Sequence, residues 1–184
     1  MLPVVKSITA SAPGKLFIFG EYACLHDRPA MLCAVNRRIR VRIAPLDSDR
    51  VILSFQKLHW EGTLHHLEPQ GDFFDLARFI IKTLNPPCGL RCSITSEISS
   101  ELGLGSSAAF TVAMTTALMK LNDPRWPLDP EEVYRTAYNR IVLPFYKVGS
   151  GADIAAAVWG GVIYYQRSPF SVCHLPPPPD LLAF

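Results

Sequence analysis

Residues 101–120 read ELGLGSSAAFTVAMTTALMK, two glycines and two serines running without a break into a long set of helix formers. That order predicts a tight, backbone-exposing loop feeding the N-terminus of a helix. Gly103 and Gly105 can take positive φ and let a ligand approach the main chain closely. Ser106 or Ser107 can cap the helix, whose first N–H groups have no partner within it. Free N–H groups and the helix dipole make such a terminus an anion site, and phosphate is the usual anion. A serine hydroxyl at that spot can also reach a magnesium ion bridging phosphates. The same residues suit a plain glycine-rich turn before a buried helix, and the pattern alone leaves both readings open.

Two common phosphate loops do not fit. A Walker A loop ends in Gly-Lys-Ser/Thr, and no such tripeptide follows Gly105. A dinucleotide fingerprint needs a third glycine where Ala108 stands.

At 184 residues, with 49% of them hydrophobic, the chain can bury a sizeable core in one domain or a domain with an extension. A net charge of +2 is too weak to point to nucleic acid. Arg38, Arg40 and Arg42 alternate with apolar residues from Ile39 to Ile43, which reads as the solvent face of a strand. Cys24, Cys33, Cys88, Cys92 and Cys173 include no C-x-x-C pair, so a disulfide framework is not expected and a reducing, cytoplasmic setting is. His65 and His66, read as strand neighbours, would point to opposite faces and not share a metal. No signal peptide and no membrane-length apolar run is apparent.

Along the chain, Val4–Ala12 reads as a strand ending in a turn at Ala12-Pro13-Gly14, with an apolar stretch from Leu16 to Tyr22. Residues 39–44 and 51–56 read as strands around a turn at 47–49, and 89–96 as a third. Helices are expected over 72–84, over 106–121, and from Asp129-Pro130 to Leu143 before Pro144. Residues 151–158 are small and apolar, and 160–166 read as a strand. There are no internal repeats; Pro176–Pro179 reads as a linker or domain edge. Strands first, then helices mixed with strands, predicts an α+β fold.

Two further segments carry chemistry. In SAPGKLFIFGEY (11–22), Lys15 follows a Pro-Gly pair and could offer positive charge to a phosphate or developing alkoxide, or be an ordinary surface lysine. In KVGSGADIAAAVWGG (147–161), Asp153 heads a run of small residues after a Gly-Ser-Gly loop. It could cap that helix or face a site and accept a hydroxyl proton.

Taken together, P-G-K-x-x-x-x-G-E at 13–21, G-L-G-S-S-A-A at 103–109 and G-S-G-A-D-x-A at 149–155 resemble the GHMP kinases, over nearly the whole chain. Tyr22 after Gly20-Glu21 and the Gly-Ser-Gly-Ala-Asp loop are most similar to the phosphomevalonate kinase branch, beside the mevalonate kinases. The resemblance implies a ribosomal-protein-like α+β domain, a mixed sheet covered by helices with a left-handed β-α-β unit. It implies ATP-dependent phosphorylation of a small hydroxylated or phosphorylated acceptor. The triphosphate would lie over Leu102, Gly103, Leu104, Gly105, Ser106, Ser107 and Ala108, with Mg2+ near Ser106 or Ser107. Asp153 and Lys15 would be catalytic, and Glu21, Ser150 and Gly151 would face the acceptor.

The family's mevalonate kinases carry a magnesium-binding glutamate eleven residues before the catalytic aspartate; here that position is Val142, and no carboxylate occurs between Glu132 and Asp153. The resemblance divides the chain into an ATP-binding domain at 1–175 and a proline-rich linker at 176–184 leading to a missing C-terminal domain. An exposed apolar face and self-association are expected of such a half. Extra charge for a phosphorylated acceptor could come from Lys6, Arg37, Arg140 or Lys147. A different class of reading, a non-catalytic relative binding a nucleotide or a partner, stays open beside the kinase.

Overall fold

Alternation through Ile39-Arg40-Val41-Arg42-Ile43 buries three apolar side chains on one face and leaves Arg40 and Arg42 on the other. The structure, a computed structural model, describes residues 7–99, 102–125, 127 and 129–176. Its seven-stranded mixed sheet comprises β1 (Ile8–Phe19), β2 (Ala30–Pro45), β3 (Arg50–Phe55), β4 (Leu58–Thr63), β5 (Leu90–Ser96), β6 (Val162–Gln166) and β7 (Ser171–Leu175). Long β2 is the spine. β1 runs antiparallel along nearly all of it, while β6 pairs with its start and β5 with its end. β3 lies parallel to β5, joined to it through β4 and the helix α1 (Asp75–Leu84).

The central helix is α2 (Ser106–Asn122), which packs on β1 and β2 and is buried over most of its length. Its alanines and threonines keep side chains short where sheet and neighbouring helices approach together. Around it lie α1, α3 (Pro130–Arg135), a π-helical stretch Thr136–Val142, α4 (Leu143–Tyr146) and α5 (Ala152–Trp159). Leu32, Ile43, Leu53, Ile80, Ile81, Leu90, Met114, Leu118, Ile141 and Ile163 are fully buried between helices and sheet. The α+β expectation therefore holds, as does the mixed sheet with helices upon it. No described helix is long and apolar enough to cross a membrane.

Several local expectations are corrected. The expected turn at Ala12-Pro13-Gly14 is instead part of one continuous strand, and the irregularity lies opposite it, where the register passes from Pro13–Arg38 to Gly14–Val35 and leaves Asn36 and Arg37 of β2 unpaired with β1. Proline, which has no N–H to donate, is tolerated at such a break. β2 begins at Ala30, well before the alternating segment. The β3–β4 hairpin turns through Gln56 and Lys57, with Gln56 at φ +51. A non-glycine turn of that kind carries none of the usual Asn-Gly or Asp-Gly signal. His65 and His66 lie in the turn after β4, not in a strand, and His66 Nδ1 is 3.0 Å from Thr63 Oγ1.

The helix expected to stop before Pro144 continues through it. Leu143 N–H donates to Tyr138 O, five residues back, so the wider π turn precedes the proline, which enters at the first turn of α4 where an N–H is dispensable. The Val4–Lys6 start of the first strand, Glu101, and the linker beyond Pro176 lie outside the described residues.

One close approach hooks the glycine loop to the sheet. Lys15 N–H donates to Leu104 O at 2.8 Å, and a Cβ on Gly14 would stand 2.5 Å from that same oxygen. Gly14→Ala is therefore expected to lower unfolding free energy by about 1–3 kcal/mol, read as a lower urea midpoint at unchanged slope. An unshifted midpoint would mean that the loop does not depend on this contact.

Candidate functional site

The backbone of 102–105 is shaped by its glycines. Gly103 (φ +64) has open space where a Cβ would be, whereas a Cβ on Gly105 (φ +74) would press within 2.9 Å of Lys15 Cγ. Gly105, not a serine, is the N-cap of α2, and no side chain caps it. The expected serine cap is thus corrected: the left-handed glycine turns the chain into the helix directly, so Ser106 and Ser107 fall in its first turn. Their hydroxyls are left for other partners, and Ser107 Oγ lies 2.7 Å from the hydroxyl of Tyr146.

Lys15 is not a surface lysine. It is 7% exposed, and Nζ lies 3.3 Å from Gly103 O and 3.7 Å from Asp153 Oδ2. Its ammonium also sits 4.8 Å from the centre of the Phe17 ring. Asp153 does not cap α5; Gly151 at φ +81 is the N-cap, without a side-chain bond. The carboxylate instead turns toward Lys15 while 43% of its side chain stays open to the cleft. Its proton affinity is raised by desolvation, offset in part by the charge and hydrogen bond of Lys15, with the nearby Glu21 charge raising it further. A carboxylate so perturbed beside a fixed cation is suited to accept a hydroxyl proton.

Two cavities meet at the α2 N-terminus. The first, of about 490 Å³, is lined by Glu21, Ser150, Gly151, Asp153 and Ser107, together with Phe17, Tyr22, Leu25, Thr111 and Val148. The second, of about 750 Å³, is bounded by Phe55, Phe73, Ile98, Ser106, Phe110 and Phe145. Ser107 and Tyr146 border both, so this hydrogen-bonded pair partitions them. Of the residues expected from the sequence, Glu21, Ser106, Ser107, Ala108, Ser150, Gly151 and Asp153 line one or other cavity, whereas Lys15, Leu102, Gly103, Leu104 and Gly105 line neither, Lys15 being tied to the site through Asp153 and the Gly103 carbonyl. Leu102 is exposed.

Tyr146 and Thr111 carried no signal in the sequence. Tyr146 meets Ser107 from α4, the helix that follows the π stretch. Val142 lines the first cavity, and the group facing Ser107 is a phenol, not a carboxylate. Of the cations considered for the acceptor, Arg37 is exposed on β2, Arg140 donates to Thr83 O at 3.0 Å, and Lys147 stands exposed beside Val148; none lines the first cavity. Lys6 lies outside the described residues.

Magnesium fits this donor set in one way. Among the described residues no three His, Cys, Asp or Glu side chains converge as a metal cage. Serine hydroxyls at an anion-binding helix terminus suit an ion that arrives on phosphates and keeps several waters.

Comparison with known proteins bears on the family and the fold. Residues 73–161 match the family described as GHMP kinases N terminal domain. The mevalonate kinase of Pyrococcus abyssi is 28% identical over 186 residues, covering 93% of this chain and 54% of its own length. The phosphomevalonate kinase of a Streptomyces species is 34% identical over 189 residues, covering 88% and 50%. The structure of Streptococcus pneumoniae phosphomevalonate kinase with phosphomevalonate and AMPPNP superposes at a TM-score of 0.73 and 24% identity, covering 87% of this chain and 50% of that one. The chain spans about half the length of the curated relatives it matches.

The raised proton affinity of Asp153 has a stability consequence. A carboxyl whose folded pKa exceeds its unfolded value opposes folding once ionised, so stability falls as pH rises through the folded pKa. Asp153→Asn is expected to raise the melting temperature by roughly 2 °C at neutral pH, with the gap closing as pH falls through the ordinary carboxylate range. A variant less stable at neutral pH would show that the Lys15 pairing outweighs the desolvation.

Proposed function

Because this chain carries a GHMP kinase N-terminal domain, we propose that it supplies the phosphate-binding wall and catalytic pair of a kinase acting on a mevalonate- or phosphomevalonate-like acceptor. The observation that carries this reading is the Lys15–Asp153 pair, 3.7 Å apart at the α2 N-terminus where two cavities meet. The triphosphate of ATP lies over 102–108, drawn by free N–H groups and the helix dipole. The aromatic second cavity takes the base, and the first takes the acceptor. The acceptor oxygen bonds to the γ-phosphorus as its proton passes to the Asp153 carboxylate, and the bond to the β-phosphate oxygen breaks to release ADP. Lys15 holds its positive charge beside the developing alkoxide. Bound with the nucleotide near Ser106 and Ser107, magnesium would supply charge neutralisation on the phosphates. Sugar or homoserine acceptors are alternatives within the same chemistry, and five free thiols suit a reducing, cytoplasmic setting.

A second reading has its own observation. Opposite Ser107 stands the Tyr146 phenol, so a relative that binds nucleotide or a partner without transfer is consistent with this site. The test is to incubate the protein with labelled ATP and, in turn, mevalonate, phosphomevalonate, homoserine and galactose, with nucleotide binding followed by calorimetry. Transfer to a mevalonate-type acceptor is expected, no heat from magnesium alone, and a loss of about 100-fold or more in Lys15→Met. Nucleotide binding without transfer to any acceptor would favour the second reading; no nucleotide binding would end both.

The C-terminal half of β1 and the turn after it expose Leu16, Ile18, Phe19, Tyr22 and Leu25, with Tyr22 at 79%. We propose that this apolar strip covers itself in the isolated chain, by a second copy, where a further domain does not. Light scattering should give a mass that rises with concentration, and a constant monomer mass would refute it.

A further inference from the structure

Resting on the acceptor reading of the first cavity, we propose that Arg167 is the positioning residue that sets the width of that cavity by tying its two walls to one guanidinium. One wall is the turn that carries Tyr22 and Leu25, around the 3-10 segment Ala23–His26; the other is the loop Val148–Gly151. These segments lie far apart in sequence. Arg167, just past the end of β6, lines neither wall, yet it bonds to both. Its Nε donates to Asp27 Oδ1 at 2.6 Å and its Nη2 to Leu25 O at 3.4 Å. On the other side Nη1 donates to Gly149 O at 3.2 Å and approaches the Tyr138 hydroxyl at 3.4 Å.

The two preceding residues repeat the division. Gln166 Nε2 donates to Asp27 O at 3.4 Å, and the Tyr165 hydroxyl donates to Ser150 O at 2.5 Å. Tyr165 is in turn 2.8 Å from Tyr134, and Tyr138 donates to Gly149 O at 2.8 Å. Burial pushes the Tyr134 phenol up to about 12 and Tyr165 further in the same direction, so both remain neutral donors. The Arg167 hydrogen bond holds the Asp27 carboxyl below its usual range.

An exposed ion pair by itself does little, and Arg167 and Asp27 keep 30% and 46% of their side-chain surface. What distinguishes this one is the planar fork, which reaches two backbone carbonyls on opposite walls as well as the carboxylate. Lysine has the charge without the fork. Because Gly151 is only two residues from Asp153, a slack loop would also loosen the register between acceptor hydroxyl and catalytic carboxylate. Misplacement of about 1 Å at such a distance costs on the order of 100-fold in rate.

Hydrogen exchange on the purified protein tests the coupling without any ligand. Arg167→Ala should raise exchange in peptides spanning 22–27 and 148–151 together, leaving α2 unchanged; Asp27→Asn, on an exposed turn, should do so more weakly. With labelled ATP and mevalonate, Arg167→Ala should raise the acceptor KM by about tenfold and leave the ATP KM within about twofold, with Arg167→Lys between. Exchange rising at one wall only, or at neither, overturns the proposal, as do acceptor and ATP KM values that move together. If the wild-type protein transfers phosphate to no acceptor, the kinase reading fails, and the exchange arm still decides whether Arg167 couples the walls.

Discussion

The contact on which the rest of the site depends is the hydrogen bond from Lys15 N–H to Leu104 O. It exists because Gly14 has no side chain where that oxygen approaches and because β1 breaks register at that point. From this one bond the glycine loop is fixed to the sheet, its Gly103 carbonyl comes within reach of Lys15 Nζ, and the α2 N-terminus is aimed at the cleft. A strand bulge, ordinarily a local irregularity, here sets the position of a helix dipole relative to a cation.

In the Lys15–Asp153 pair, burial and charge act in opposite directions on the carboxyl. Burial raises the proton affinity of the carboxyl, and the ammonium only partly offsets that. Tight aromatic packing elsewhere keeps the arrangement rigid: Tyr134, Tyr138, Tyr165, Trp159 and Phe170 form one cluster under the loop that delivers Asp153. Gly151 is required there for a second reason besides its positive φ. A Cβ would fall 2.5 Å from the Tyr134 hydroxyl and 2.8 Å from that of Tyr165.

Elements with a strong period or a proline or glycine boundary were legible in advance. α1, α2, β5 and β6 fall within a few residues of expectation, since amphipathic spacing, capping and turn residues act locally. Where neighbours overrode local signals, the reading was incomplete. The Gln56 hairpin, the helix through Pro144 and the unbroken β1 each put a residue in a backbone state that its own propensity does not favour. The serine cap failed for a related reason: Gly105 in the left-handed region does the turning, and the hydroxyls remain free for Tyr146 or a ligand.

By itself the sequence determined the fold class and the glycine loop ahead of α2, and it singled out Lys15, Ser106, Ser107 and Asp153 as candidates for chemistry. Residue type and spacing suffice to nominate those residues, because the physics of helix termini and of charged groups is short-ranged. Tertiary structure decided that Lys15 is buried and paired, that Tyr146 and not a carboxylate meets Ser107, and that Arg167 spans both walls of the first cavity. Those contacts join positions 18 to 142 residues apart in sequence. Only the sheet register and the stacking of helices upon it bring such distant positions within bonding distance.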